Sequence, residues 1–193
     1  MDINKPRFLG NPMLATERLT LRKFAIDDAI DVYQYAKNCE VARFVTWEPH
    51  RTIGDSISFI NWTLGRYDCD EAGEWGIEYK ETGRIIGALG FVQVETVNSC
   101  ASIGYVLSRD FWGMGIMTEA VGRLIRFGFE EMGLNRIEAV HVPENEGSGR
   151  VMQKAGMNFE GLLKQKLFAK GRYWDVKQYA ILKDEWKSAR NKN

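Results

Sequence analysis

At 193 residues and 45% hydrophobic content the chain is long enough to bury a sizeable core, and a single domain over residues 1–193 is expected, with its core between Thr16 and Leu182. Lysine plus arginine and aspartate plus glutamate balance at 26 each, so no basic excess marks the chain for nucleic acid or a membrane surface. Three cysteines without a CxxC pair (Cys39, Cys69, Cys100) and two distant histidines (His50, His141) speak against a disulfide frame or a metal site, and suit reduced packing cysteines in a cytoplasmic protein.

The opening MDINKPRFLG lacks the apolar core of a signal peptide, and no run of about 18 apolar residues occurs anywhere. RLTLRKF (Arg18 to Phe24) alternates as a strand. Asp27 then reads as the N-cap of a first helix with Ile26, Ile30 and Tyr33 on one face, and Thr52 with Asp55 forms a capping box before Ile53, Ile57, Ile60, Leu64 and Tyr67. Glu74 to Lys80, Gly83 to Glu95 and Cys100 to Ser108 read as three strands with short turns, an antiparallel meander. The run after Gly115 repeats Val121, Leu124, Ile125, Gly128, Phe129 and Met132 at helical spacing and stops at Gly133. Arg136 to Val142 is a strand, parallel to its predecessor because a whole helix separates them. A short helix from Ser148 to Gly156 and a hairpin from Phe159 to Leu182, turning near Lys170 and Gly171, complete an α+β pattern with a mixed sheet.

The stretch with most chemical content is DFWGMGIMTEA, where Gly113 and Gly115 stand between a strand and a helix. Free backbone N–H groups and the positive dipole end gather at a helix start, and glycines let an anion approach them. One such start is worth only about 0.3–1 kcal/mol per exposed charge, so several N–H groups must converge to hold a phosphate. The same pair equally suits a turn that merely packs strand on helix. A Rossmann fingerprint would need glycine where Thr118 stands, and no Gly-Lys-Ser/Thr ending supports a Walker loop.

TERLTLR, GRIIGALGF, IGYVLSRDFWGMGIMTEA, NRIEAVHVPENEGSGRVMQKAGMNFEG and GRYWDVKQYAIL, in this order over Thr16 to Leu182, resemble the GNAT superfamily of acyl-CoA N-acyltransferases. The nearest branch is that of the RimJ and RimL ribosomal-protein N-terminal acetyltransferases. The resemblance implies a GNAT fold with six to seven strands, acetyl-CoA as co-substrate and an amine acceptor; no metal is expected, and the protein is expected to be a monomer or homodimer. It implies that Phe111, Trp112, Gly113, Met114, Gly115 and Ile116 surround the pyrophosphate, with Asp110 departing from the usual Gln or Arg. It further implies that the strand around Val106 and Leu107 holds the pantetheine arm beside a splayed neighbour. Asn145 and Ser148 would lie near the sulfur; read alone, either is an N-cap of the short helix. Trp47 and Glu48 fall in a segment that contacts acceptors in this superfamily, and Asp175 matches a recurring acid that could pin the last hairpin.

The chemistry expected is direct aminolysis of the thioester, with Ser148 or a water protonating the thiolate. Many relatives carry a glutamate directly before IGY, where this chain has Ser102, and a later carboxylate of some members aligns with Leu167. Glu78, Glu95, His141 and Glu160 remain as candidate bases, beside a water relay. Glu78 on an alternating strand also suits a solvent face, and His141 shares a face with Ile137 and Ala139, which suits a core or ligand-lining position. The acceptors considered are a protein N-terminus such as that of a ribosomal protein, or a polyamine, amino acid, antibiotic or toxic peptide. Competing readings are an acyl-CoA sensor without turnover and a nucleotide-binding protein.

Overall fold

Strand pairing organises the chain around one mixed sheet. A computed structural model describes residues 10–69 and 73–190, so all but the last residue of the opening MDINKPRFLG lies outside the described residues. Eight strands, β1 (Leu14–Ala15), β2 (Leu19–Arg22), β3 (Glu74–Tyr79), β4 (Arg84–Glu95), β5 (Cys100–Leu107), β6 (Arg136–His141), β7 (Asn158–Ala169) and β8 (Arg172–Leu182), lie in the order β1-β2-β3-β4-β5-β6-β8-β7. Only β5 and β6 run parallel; the other neighbours are antiparallel. The strand count exceeds the expected six to seven because the two-residue β1 pairs with β2, an element too short to leave a periodic signal. The β7–β8 hairpin turns at Lys170 and Gly171, whose φ values of 53° and 73° are both left-handed, as a two-residue hairpin loop with matching twist requires.

Among the described residues six helices cover the faces: α1 (Ala29–Ala36), α2 (Cys39–Ala42), α3 (Ile53–Asp68), α4 (Ile116–Glu130), α5 (Glu146–Lys154) and α6 (Lys183–Arg190). One core lies between the sheet and α4, where Val121, Leu124, Ile125, Phe129 and Met132 are buried as their spacing required, against Ile103, Ile137 and Ile181. A second core on the opposite face joins α1 and α3 to Ile85 and Ala88 of β4. β4 is therefore buried on both sides over Ile85 to Phe91, which explains its nearly continuous apolar run.

Three expectations need correction. The first helix begins after a turn of 3-10 helix at Ile26–Asp28, and Asp28 rather than Asp27 secures its start by accepting from the Ala25 N–H (2.8 Å). Asp28 is placed there by Arg22, whose guanidinium grips both carboxylate oxygens at 2.8 Å. Consequently Ala29, Val32, Tyr35 and Ala36 form the buried stripe, while Ile26 and Ile30 are 45% and 56% exposed. In α3 the capping box stands, and Ile60 and Tyr67 are buried, but Ile53 and Ile57 face outward while Ser56 and Thr63 take the inner positions. Cys39 and Cys69 are exposed free thiols rather than packing residues.

Candidate active site

A wedge opens in the sheet where its single parallel pair comes apart. β5 and β6 pair at three rungs, Cys100 with Arg136, Ala101 with Ile137 and Ser102 with Glu138. Beyond Ser102, β5 stays on β4 as far as Leu107, while β6 follows β8 as far as His141. The edge of β5 from Ile103 to Val106 thus has no ladder partner across the gap, and its main-chain groups can bind something else. A cavity of about 540 Å³ runs from this gap to the glycine loop, walled by Tyr105, Val106 and Leu107 on one side and Asn145, Ser148 and Val151 on the other.

The glycine loop closes one end. After a 3-10 turn at Arg109–Phe111, Gly113 and Gly115 both have φ of 77°, and Gly115 is the N-cap of α4. No side chain caps this helix, so the first N–H groups of α4 have neither an intrahelical acceptor nor a capping oxygen. The indole N–H of Trp112 donates to the Leu107 carbonyl (2.9 Å), tying the loop to the end of β5. Phe111, Trp112, Gly113, Gly115 and Ile116 line the cavity, whereas Met114 turns its carbonyl outward to Arg18 (3.0 Å). Asp110 is exposed, and the neighbouring Arg109 pairs with Glu40 at the rim.

Across the cavity, Asn145 caps α5 by accepting from the Ser148 N–H (3.3 Å), which leaves the Ser148 hydroxyl available. Tyr105 comes from β5 to meet it: its hydroxyl lies 2.8 Å from Ser148 Oγ and 3.0 Å from the Ser148 carbonyl oxygen. Burial pushes the Tyr105 phenol well above its ordinary range, so it stays protonated as a hydrogen-bond donor. Tyr105 escapes a reading from spacing because its strand position resembles any other half-buried residue of IGYVL. Only the tertiary approach of α5 reveals its partner.

A family model described as an acetyltransferase (GNAT) domain matches residues 18–158. The chain belongs to the GNAT family. Among its relatives, the uncharacterized N-acetyltransferase p20 of Bacillus licheniformis is 38% identical over 90% of this chain and 97% of its own length. The ribosomal-protein-serine acetyltransferase of Escherichia coli is 34% identical over 52% of this chain and 56% of that protein. The crystal structure of the microcin C7 self-immunity acetyltransferase MccE, solved with acetyl-CoA and AMP, is 26% identical with a TM-score of 0.78, over 86% of this chain and 93% of that one. The protein is accordingly an acetyl-CoA-dependent GNAT N-acetyltransferase.

The remaining residues singled out from the sequence are placed as follows. Val106 and Leu107 line the wedge. Glu78 lies on β3 in an ion pair with Arg22 (2.6 Å) and does not line the cavity. His141 is buried beneath α5, its Nδ1 2.8 Å from the Val142 carbonyl and its ring 5.5 Å from Tyr179. Burial holds His141 below its ordinary pKa, and it too stands outside the cavity wall. Glu95 is exposed on β4, and Glu160 is tied to Arg136 (2.7 Å). Trp47 packs on the second core beside His50 (5.5 Å) and Glu48 is exposed; from the same segment, Phe44 and Val45 reach the cavity instead. Ser102 donates to Glu138 (3.0 Å) at the last rung before the wedge. Asp175 accepts from the Gln165 N–H (2.8 Å) where β7 bulges, so it does pin the hairpin. Among the described residues no group of three or more potential ligands could hold a metal, and no helix is long and apolar enough to cross a membrane.

Proposed function

We propose that the acceptor is the α-amine of a protein N-terminus, with a ribosomal protein as the leading class, and that acetyl-CoA lies along the wedge with its diphosphate at residues 111–116. Two features support this placement of acetyl-CoA: uncapped N–H groups beside two glycines at one end, and an unpaired strand edge that can hydrogen-bond an amide-bearing pantetheine arm at the other. The similarity to the ribosomal-protein-serine acetyltransferase of Escherichia coli adds weight to the acceptor class.

The observation that carries the choice of amine is that neither Glu78 nor His141 lines the cavity. Of the carboxylates that do line it, Glu40 and Glu146 are paired with Arg109 and Arg150 and Glu144 is exposed to water, so an amine that loses its proton cheaply is favoured. At about pH 7, removing a proton costs about 1.4 kcal/mol for an α-amine but about 4.6 kcal/mol for a lysine side chain. The neutral amine attacks the acetyl carbon, the N–C bond forms, and the C–S bond breaks as the carbonyl is restored. The amine's surplus proton passes to water. The leaving sulfur takes a proton from the Ser148 hydroxyl, which solvent replenishes, while Tyr105 holds that hydroxyl in place.

The test is a comparison of thiol release from acetyl-CoA with three acceptors: a peptide with a free serine N-terminus, the same peptide N-blocked but carrying lysine, and spermidine. The free N-terminus is expected to turn over at least tenfold faster. Turnover confined to lysine or spermidine would overturn the assignment.

A further inference from the structure

The glycine loop is held from outside the cavity by one side chain. Arg18, at the turn between β1 and β2, donates through Nη1 to the Met114 carbonyl (3.0 Å) and through Nε to Glu119 Oε2 (2.7 Å). Its backbone N–H reaches Glu119 Oε1 (3.0 Å), where the Thr16 hydroxyl also donates (2.5 Å). A Cβ built on Gly115 would stand 3.7 Å from Arg18 Nη2, so the guanidinium lies flush against the loop. One planar fork therefore spans a loop carbonyl and a carboxylate in the first turn of α4.

Every described peptide is trans, so the Met114 carbonyl and the Gly115 N–H point in opposite directions across one plane. The Met114 carbonyl faces Arg18, outside the cavity, whereas Gly113 and Gly115 line it. Fixing the carbonyl on Arg18 therefore aims the Gly115 N–H inward. Without that anchor the plane can turn over cheaply, because Gly115 has no Cβ to resist, and an oxygen would then face the ligand. The second contact answers a charge problem. Glu119 stands at the positive end of α4, where it competes with any bound anion. Although burial pushes its carboxyl up, the hydrogen bonds from Thr16 and Arg18 hold it below the usual range, so it is ionised and needs a counter-charge.

We propose that Arg18 is a positioning residue for the diphosphate of acetyl-CoA: it locks the Met114–Gly115 peptide with a donor toward the anion and neutralises Glu119. The proposal rests on the reading that residues 111–116 hold that diphosphate. It differs from a general packing role because it concerns only the diphosphate-bearing half of the co-substrate.

Arg18→Met and Arg18→Lys are compared with the unaltered protein by calorimetry with coenzyme A, and by kcat/KM for acetyl-CoA against S-acetylpantetheine, a thioester without the diphosphate. Arg18→Met is expected to weaken coenzyme A about ten- to a hundredfold, the range for losing one charge-assisted hydrogen bond, and to lower the acetyl-CoA to S-acetylpantetheine ratio similarly. Arg18→Lys is expected to recover only part of this, since an ammonium lacks the fork. Unchanged coenzyme A affinity in Arg18→Met, or equal losses for both thioesters, would overturn the proposal; if Arg18→Met does not fold, the same ratio in Arg18→Lys decides. Failure of the unaltered protein to bind coenzyme A would instead remove the diphosphate reading itself.

Discussion

Gly115 carries two demands at once, a φ of 77° and close contact with Arg18, whose Nη2 would lie 3.7 Å from an added Cβ. Gly115→Ala should therefore cost about 1–2 kcal/mol from the left-handed backbone and weaken coenzyme A binding, which thermal unfolding and calorimetry read separately. Tyr105→Phe removes the hydroxyl that fixes Ser148 and is expected to lower kcat about tenfold with little change in KM for acetyl-CoA. Ser148→Ala should lower kcat at least as much with unchanged coenzyme A affinity; full turnover would remove its role as proton donor. His141 gives a pH signature. Its folded pKa lies below the ordinary 6.5, so the unfolded chain binds the extra proton first as pH falls. Stability attributable to this ring is intact above that value and declines below it, and the slope of urea midpoint against pH between about 7 and 5 should be shallower in His141→Phe. At this scale the sequence revealed residues whose chemistry is local, Gly113, Gly115 and Asn145. Tyr105, Phe44 and Arg18 acquire meaning only from partners 43 or more residues away or from the cavity wall, as with the Tyr105–Ser148 pair, and spacing carries no trace of that.

Among the elements, α4 was legible because a single apolar stripe faces a single core and glycines bound it at both ends. α1 was not. Its register is set by the Arg22–Asp28 fork, a tertiary contact that moves the start one residue and turns Ile30 outward. Asp28→Ala should therefore cost about 2 kcal/mol, by removing the bidentate carboxylate from Arg22, which keeps only Glu78 and the Lys23 carbonyl, and by leaving the Ala25 N–H without its acceptor, and should lower Tm by about 4–8 °C. A drop under about 1 °C would mean that the helix start is fixed by packing alone. α2 and α6 escaped notice for other reasons, the first having only four residues and the second no buried side chain.

For the whole molecule, the decisive feature is the change from antiparallel to parallel pairing between β5 and β6, which the intervening helix made legible. How far the pair stays joined was legible only through family resemblance, because the end of the ladder after Ser102 depends on β6 following β8 rather than on any residue at the junction. The wedge, the uncapped start of α4 and the cap of α5 converge because α4 leaves the sheet beside β5 while α5 leaves it beside β6. Amide NMR during titration with coenzyme A tests this most directly. The largest shifts are expected at the N–H groups of Gly113, Gly115 and Ile116, followed by Val106 and Leu107. Binding that leaves those amides unmoved, or no binding by the folded protein, would contradict it.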